Sequence, residues 1–263
     1  MPASLPQSDI CDALRRARHV VVLTGAGVSA ESGIPTFRDR LSGLWELYDA
    51  AELATYHAFD RDAALVWGWY EWRRMLVLKA QPNGAHRAIA AMAAQIPAFT
   101  LATQNVDDLH ERAGSHSLLH LHGTLADPRC ERCGSPHRHP PGIPDLPVGG
   151  MHIDPPRCGS CGARVRPGVV WFGENLPQRE WTAAVEAASR CDMFISAGTS
   201  SLVQPAASLV ECARRAGALA VQINPNPTGA ETIFNGVLQG PAGVILPRLL
   251  NDVWGVALPG VKE

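Results

Sequence analysis

Four short apolar runs constrain this chain most: Val20-Val21-Val22-Leu23, Phe99-Thr100-Leu101-Ala102, Met193-Phe194-Ile195-Ser196 and Leu219-Ala220-Val221-Gln222-Ile223. Each follows a stretch of helical spacing, for example residues 85–95 and 205–216. Strands alternating with helices predict an α/β fold, a Rossmann-like parallel sheet with helices on both faces. Each run ends in small or polar residues: Gly25-Ala26-Gly27, Thr103-Gln104-Asn105, Ala197-Gly198-Thr199-Ser200 and Asn224-Pro225-Asn226. Ligands of such sheets bind beyond the carboxyl ends of the strands, so the four clusters are expected to converge on one crevice.

Two segments interrupt the rhythm. Residues 44–79 are helical and rich in aromatics, whereas 126–167 are rich in Pro, Gly, His and Cys without apolar periodicity. The second cannot build a core and needs another tether. The division expected is one catalytic unit over 1–263. Its large domain comprises 1–43, 80–124 and 168–263, and its small domain the helical insertion 44–79 and the zinc-binding insertion 125–167.

Cys130-x-x-Cys133 and Cys158-x-x-Cys161 form two knuckles with 24 residues between them. Four thiolates at this spacing suit a closed tetrahedral zinc site, structural because no coordination position stays open. Disulfides are the alternative. The odd total of seven cysteines and a cytoplasmic location count against them. Arg129, Arg132, Arg157 and Arg164 flank the knuckles, either to offset thiolate charge or simply as soluble surface. Cys11, Cys191 and Cys212 read as packing residues in helical contexts.

The formal net charge of −2 speaks against a nucleic-acid backbone as main partner. No apolar run is long enough to span a membrane. The run after Arg18-His19 is too short and too late for a secretory signal, which makes a cytoplasmic location the expectation; a monomer without membrane contact is also expected.

Gly25-Ala26-Gly27-Val28-Ser29-Ala30 follows a strand and fits G-x-G-x-x-A, where glycine lets backbone N–H groups approach a pyrophosphate. A dehydrogenase would continue into a regular helix, a second strand and an acidic residue about 20 residues on. Here Gly33 and Pro35 stop the helix, and the loop carries Phe37 and Arg38.

GAGVSAESGIPTFRD, TQNVDDLHERAG, HLHGTL, the paired CxxC, VVWFGENLP, AGTSSLVQPAA and INPN occur in the order found in sirtuins, and the chain resembles that family from about Val20 to Leu249. The resemblance implies an NAD-dependent protein-lysine deacylase whose partners are acylated-lysine proteins. NAD is consumed as a co-substrate, giving nicotinamide, O-acyl-ADP-ribose and free lysine. The resemblance assigns Gly25, Ala26, Gly27, Ser29, Ala30, Phe37 and Arg38 to NAD. It assigns Gln104, Asn105 and Asp107 to the ribose and nicotinamide pocket. Gly198, Thr199, Ser200, Asn224, Pro225, Asn226 and Ala242 complete the adenosine side. Taken alone, Asn105 or Asp107 would be a helix cap.

Histidine titrates near neutrality and suits proton transfer. In His120-Leu121-His122-Gly123, a regular strand would put both histidines on one face, and the glycine would leave room for a ligand. Spacing does not choose between them. The resemblance does, because the family's catalytic histidine directly precedes the glycine, which is His122; His120 stands where the family varies.

Residues 62–79 predict a helix with an apolar stripe of Leu65, Trp69, Trp72 and Leu76. Tyr70 and Arg73, three apart, are neighbours that could clamp a carboxylate, or else a half-buried phenol and a solvated basic edge with Arg74. The resemblance points to the clamp: class III sirtuins carry Tyr-x-x-Arg and prefer succinyl and malonyl groups. It also makes Ala54 a small residue in a roomy acyl pocket, with a departure at Tyr56-His57 where that pattern has a proline. Val169 to Glu174 is strand-like. The resemblance pairs Val170, Phe172, Gly173 and Glu174 with the substrate backbone. The competing readings are an enzyme that is mainly a deacetylase, a mono-ADP-ribosyltransferase, an ordinary NAD-dependent dehydrogenase and a zinc-ribbon nucleic-acid binder.

Overall fold

The structure is a computed structural model and describes residues 5–36, 48–147 and 150–259. The opening apolar runs all become strands. Helix α1 (Gln7–Arg16) leads into β1 (His19–Thr24) and the short α2 (Ala26–Ala30). Three helices follow: α3 (Ala50–Leu53), α4 (Tyr56–Arg61) and α5 (Ala63–Lys79). The sheet resumes with α6 (Gly84–Ala93), β2 (Ala98–Thr103), α7 (Leu109–Arg112) and β3 (Leu119–His120). The cysteine-bearing segment contributes only β4 (Arg129–Cys130) and β5 (Val165–Arg166), an antiparallel pair. The chain then runs through α8 (Gln178–Ala188), β6 (Met193–Ala197), α9 (Ser208–Arg215), β7 (Leu219–Asn224), β8 (Gly236–Gln239) and α10 (Ala242–Trp254).

Six strands form one parallel sheet in the order β3-β2-β1-β6-β7-β8. The order reverses between β1 and β6, the topological switch point at which open α/β sheets bind ligands. Strand alternation sends β1 residues to opposite cores. Val20 and Val22 join α1, α6 and α10, whereas Val21 and Leu23 join α8 and α9. Strands buried on both faces need no polar residue until they end, which is why their sequences are uninterrupted apolar runs.

A third core gathers α3, α4 and α5 with Leu125, Val169 and Trp171. Asp62 accepts from Leu65 N (2.9 Å) at the start of α5, and Thr55 accepts from Ala58 N (3.1 Å) at the start of α4. The predicted stripe on α5 is only part of its buried surface. Leu65, Trp69 and Trp72 are buried, but so are Val66, Trp67, Tyr70, Arg73, Met75 and Val77, while Leu76 is only half-buried. The helix is covered on several sides, so no single stripe describes it. Among the described residues no helix is long and apolar enough to cross a membrane.

Candidate functional site

The four strand-end clusters converge. They line one cavity of about 630 Å³, within the ~300–1,000 Å³ of typical small-molecule sites. Gly25, Ala26, Gly27, Ser29 and Ala30 reach it from β1–α2, and Gln104, Asn105 and Asp107 from the end of β2. Gly198, Thr199 and Ser200 follow β6, Asn224, Pro225 and Asn226 follow β7, and Ala242 opens α10. His122, Ala54, Tyr70, Arg73, Val170, Phe172, Gly173 and Glu174 line the same space. Phe37 and Arg38 lie outside the described residues.

The glycines of the β1–α2 loop have a structural reason that the motif alone does not reveal. Gly25 N donates to Ala197 O (3.1 Å) and Gly27 N to Gly198 O (2.8 Å), so these two amides hold the neighbouring loop and do not await a phosphate. A Cβ on Gly27 would lie 2.7 Å from the Gly198 carbonyl oxygen. The two loops meet at the switch point because Gly25, Gly27 and Gly198 carry no side chains there; a Cβ on Gly25 would lie 2.6 Å from Thr199 Cβ. Thr199 ties in the next two strand ends: Gln104 Nε2 donates to its hydroxyl (3.0 Å) and Asn224 Nδ2 to its carbonyl (2.8 Å).

Beneath the cavity runs a buried polar network. Asn105 Nδ2 donates to Ser29 Oγ (3.0 Å), and Ser29 Oγ donates to Asp107 Oδ2 (2.9 Å). Asp107 Oδ1 also accepts from Leu109 N (3.1 Å), so the capping role and the cavity role coexist in one carboxylate. Burial raises the Asp107 carboxyl, and the bonds from Leu109 and Ser29 offset part of that rise. His110 Nε2 lies 3.0 Å from Thr24 Oγ1, and the rings of His86 and His110 meet edge-on at 4.8 Å.

The two histidines of HLHG separate. β3 ends at His120, and the chain turns at Leu121-His122, so strand alternation does not apply. His120 Nε2 lies 2.7 Å from Glu111. His122 lines the cavity, with Nδ1 3.1 Å from Gln104 O. A carbonyl only accepts, so Nδ1 carries the proton and Nε2 is the nitrogen able to take one. Burial lowers the His122 pKa, with the Gln104 bond acting in the other direction. The space beside Gly123 (φ +72°) is filled by backbone, not ligand: a Cβ there would lie 2.2 Å from Gly168 O.

At the α5 end of the cavity, Trp171 Nε1 donates to Tyr70 Oη (3.0 Å), which leaves the phenol's own proton for an acceptor. Burial raises the Tyr70 pKa, keeping it a neutral donor. Arg73 is 9% exposed, not part of a solvated edge, and its guanidinium lies 5.2 Å from the Trp69 ring centre. Arg74 pairs with Glu71 (3.0 Å) and does not line this cavity.

Val169 to Glu174 is no regular strand; it makes isolated bridges, Val169 with Gly123 and Phe172 with Thr55. Val170 N donates to His122 O (2.8 Å), Phe172 N to Ala54 O (2.9 Å) and Trp171 N to Glu174 Oε2 (2.9 Å). These three amides are therefore taken. Glu174 also accepts from Arg166 Nη2 (2.9 Å), so its carboxylate serves the segment itself.

Cys130, Cys133, Cys158 and Cys161 place their sulfurs within 4.8 Å of one another. Cys130–Cys161 is 3.5 Å and Cys133–Cys158 3.7 Å. A tetrahedron with Zn–S bonds of ~2.3 Å requires sulfur separations of about 3.8 Å, so the four thiols fit zinc, with no position left for water. Of the flanking arginines, Arg164 is engaged by Glu131 (2.9 Å) and Asp60 (3.1 Å) instead of facing the sulfurs. Burial raises the thiol pKa of Cys11, and that of Cys191 to about 12, as expected of packing residues; Cys191 lies just past α8 and not within it.

Glu31 was not foreseen. It lines the cavity and accepts from Gly243 N (2.8 Å) at the start of α10, joining two segments 212 residues apart. Gln204, Pro205 and Thr228 also line the cavity. No local pattern marks them, because their place depends on how the loops after β6 and β7 fold over the strand ends.

The Sir2 family model matches residues 25–205. The NAD-dependent protein deacylase of Methylococcus capsulatus is 60% identical over 243 residues, covering 92% of this chain and 95% of that protein. The crystal structure of a Sir2 homologue–NAD complex superimposes with TM-score 0.86 at 44% identity, covering 96% of each chain. A mutant Sir2 homologue in complex with 2′-O-acetyl-ADP-ribose gives TM-score 0.85 at 42% identity, covering 97% of this chain and 99% of that one. The chain belongs to the Sir2 family.

Proposed function

We propose that this chain is an NAD-dependent protein-lysine deacylase that accepts succinyl and malonyl groups as well as acetyl. One observation carries the reading. A single cavity runs from the β1–α2 loop past His122 to Tyr70 and Arg73, so cofactor loop, base and a buried cation share one space. The deacylase activity is supported by the 60% identity to a protein of that name. The acidic preference rests on Tyr70 and Arg73, a phenol and a guanidinium poised as donors in a desolvated pocket.

When bound, NAD supplies the acceptor for the acyl group and is consumed. Ser29, Asn105 and Asp107 orient the ribose side and Thr199 and Asn224 the adenosine side. His122 takes a proton through Nε2 while Gln104 O holds its ring. Tyr70 and Arg73 bind the free carboxylate of the acyl chain, and Ala54 leaves space for it. The peptide backbone meets the Val169–Glu174 segment at the Val170 carbonyl and the Gly173 amide, groups that bear no hydrogen bond among the described residues. The four-cysteine zinc site is structural. Residues 44–79 and 125–167 act as the small domain of one catalytic unit.

The test is to incubate the protein with NAD and matched acetyl-, malonyl- and succinyl-lysine peptides and follow nicotinamide release and peptide mass. Release without dependence on peptide overturns the deacylase reading. Turnover of the acetyl peptide alone overturns the acidic preference.

A further inference from the structure

The helix that carries Tyr70 and Arg73 is held from a second side. Tyr70, Arg73 and Val77 line the large cavity. Trp67, Glu71 and Arg74, a neighbouring stripe at i, i+4 and i+7, meet the cysteine-bearing insertion. Ile153 N donates to Ala64 O (3.0 Å). Gly68 approaches Met151 so closely that a Cβ would lie 2.1 Å from its carbonyl oxygen. Between these contacts stands His139. Its Nε2 lies 2.9 Å from Leu125 O and its Nδ1 3.2 Å from Glu71 Oε1; both oxygens only accept, so the ring donates to the two at once when it carries a proton on each nitrogen. Its ring stacks on Trp67 at 6.0 Å and 30°.

Glu71 is the hub of this contact. Arg74 grips it through Nε (3.2 Å) and Nη2 (3.0 Å), and the side chains of Glu71, Arg74 and His139 are 12%, 11% and 13% exposed. Burial alone would raise the Glu71 carboxyl; the bonds from His139 and Arg74 outweigh it and hold it below the usual range. Tyr70, Glu71 and His139 share the wall of a void of only about 10 Å³, marginal for one water, so movement at His139 has little slack to absorb it before reaching Tyr70.

We infer that His139 is a positioning residue for acyl selection: by holding Glu71 it fixes the rotation of α5, and with it the reach of Tyr70 and Arg73 to an acyl carboxylate. The inference rests on the clamp reading given above. His139 joins the insertion to the middle of α5 at Glu71, beyond the backbone contacts at Ala64 and Gly68 in its first turns. A donor pair that must meet a carboxylate at hydrogen-bond distance is sensitive to such rotation, whereas an acetyl methyl is not.

The test uses the full-length, zinc-loaded protein. His139→Ala, His139→Asn, Glu71→Gln and the double variant His139→Ala/Glu71→Gln are compared on matched succinyl and acetyl peptides. Zinc content and thermal melting are measured alongside. His139→Ala is expected to raise KM for the succinyl peptide about tenfold, by analogy with the cost of small misplacements, while kcat and KM for the acetyl peptide change less than about twofold. The double variant should be no worse than the poorer single, because both remove one contact. Glu71→Gln keeps the shape of the site and serves if His139→Ala fails to fold. Equal loss on both peptides, unchanged selectivity in all variants, or zinc loss parallel to the selectivity change overturns the inference. A wild-type protein without succinyl activity overturns the clamp reading itself, a result seen before any variant is made.

Discussion

Arg73→Met tests the acyl specificity most directly. Arg73 is 9% exposed, and burial pulls its guanidinium below its ordinary pKa against the raising effects of Tyr70 and Asp107. A substrate carboxylate entering this site meets a cation poorly served by water, where charge-assisted hydrogen bonds contribute about 1.5–3 kcal/mol each. Losing one such bond corresponds to about a tenfold to 150-fold fall in kcat/KM for the succinyl peptide. Methionine is unbranched and can keep the apolar packing that the arginine stem makes over Trp69, 5.2 Å from the guanidinium. An acetyl group ends in a methyl where the carboxylate would be, so deacetylation should stay level or rise slightly. The assay is steady-state kinetics on acetyl and succinyl versions of one peptide with NAD saturating. A parallel fall in both would refute the clamp. Tyr70→Phe is the less clean partner experiment. It strands Trp171 Nε1, now bonded to Tyr70 Oη at 3.0 Å, at a cost of about 1–3 kcal/mol in stability.

His122→Ala should lower deacylation by about 10²–10⁴-fold, and in the wild type the acidic limb of kcat/KM should lie below the ordinary histidine value of about 6.5, because burial lowers this pKa; a limb above that value would contradict the assignment. Removing zinc with a chelator should lower the melting temperature and reduce acetyl and succinyl turnover together, since the site holds the insertion and leaves no open position for chemistry; an unchanged melt with metal analysis at zero would contradict a structural role. Burial pulls His86 down to about 3 and His110 to about 4. The unfolded chain gains these protons near pH 6.5 while the native chain refuses them, so stability should fall as pH drops below about 6.5, by about 2 kcal/mol per histidine at pH 5. Urea midpoints at pH 7.5 and pH 5 measure this, and equal midpoints would show that the two rings are protonated without cost.

The sheet was legible because its central strands are buried on both faces and therefore written as unbroken apolar runs. β8 escaped notice because the run Gly236–Gln239 carries too little pattern to stand out, and β3 ends at His120, short of the strand through His122 that the sequence suggested. The zinc ligands could be read from spacing alone, since a CxxC knuckle is a local geometric unit. His122 needed the family resemblance: alternation treats it like His120, and the turn that separates them is set by Gly123 packing on Gly168, 45 residues away. The segment Val169 to Glu174 looked like a strand from its composition. Its amides are instead claimed by His122 and Ala54, partners no local rule could supply. Glu31 and His139 were invisible for the same reason: each acts by touching a distant element.

Those two amide bonds have a further consequence. Val170 N is tied to His122 O and Phe172 N to Ala54 O, so two residues of chain bridge His122 and Ala54 along the cavity. A bridge pinned at both ends behaves as a ruler. On the function proposed above, this bridge sets the span from His122 to Tyr70 and Arg73, and a longer or shorter acyl chain would be measured against it instead of being accommodated by a shifting wall.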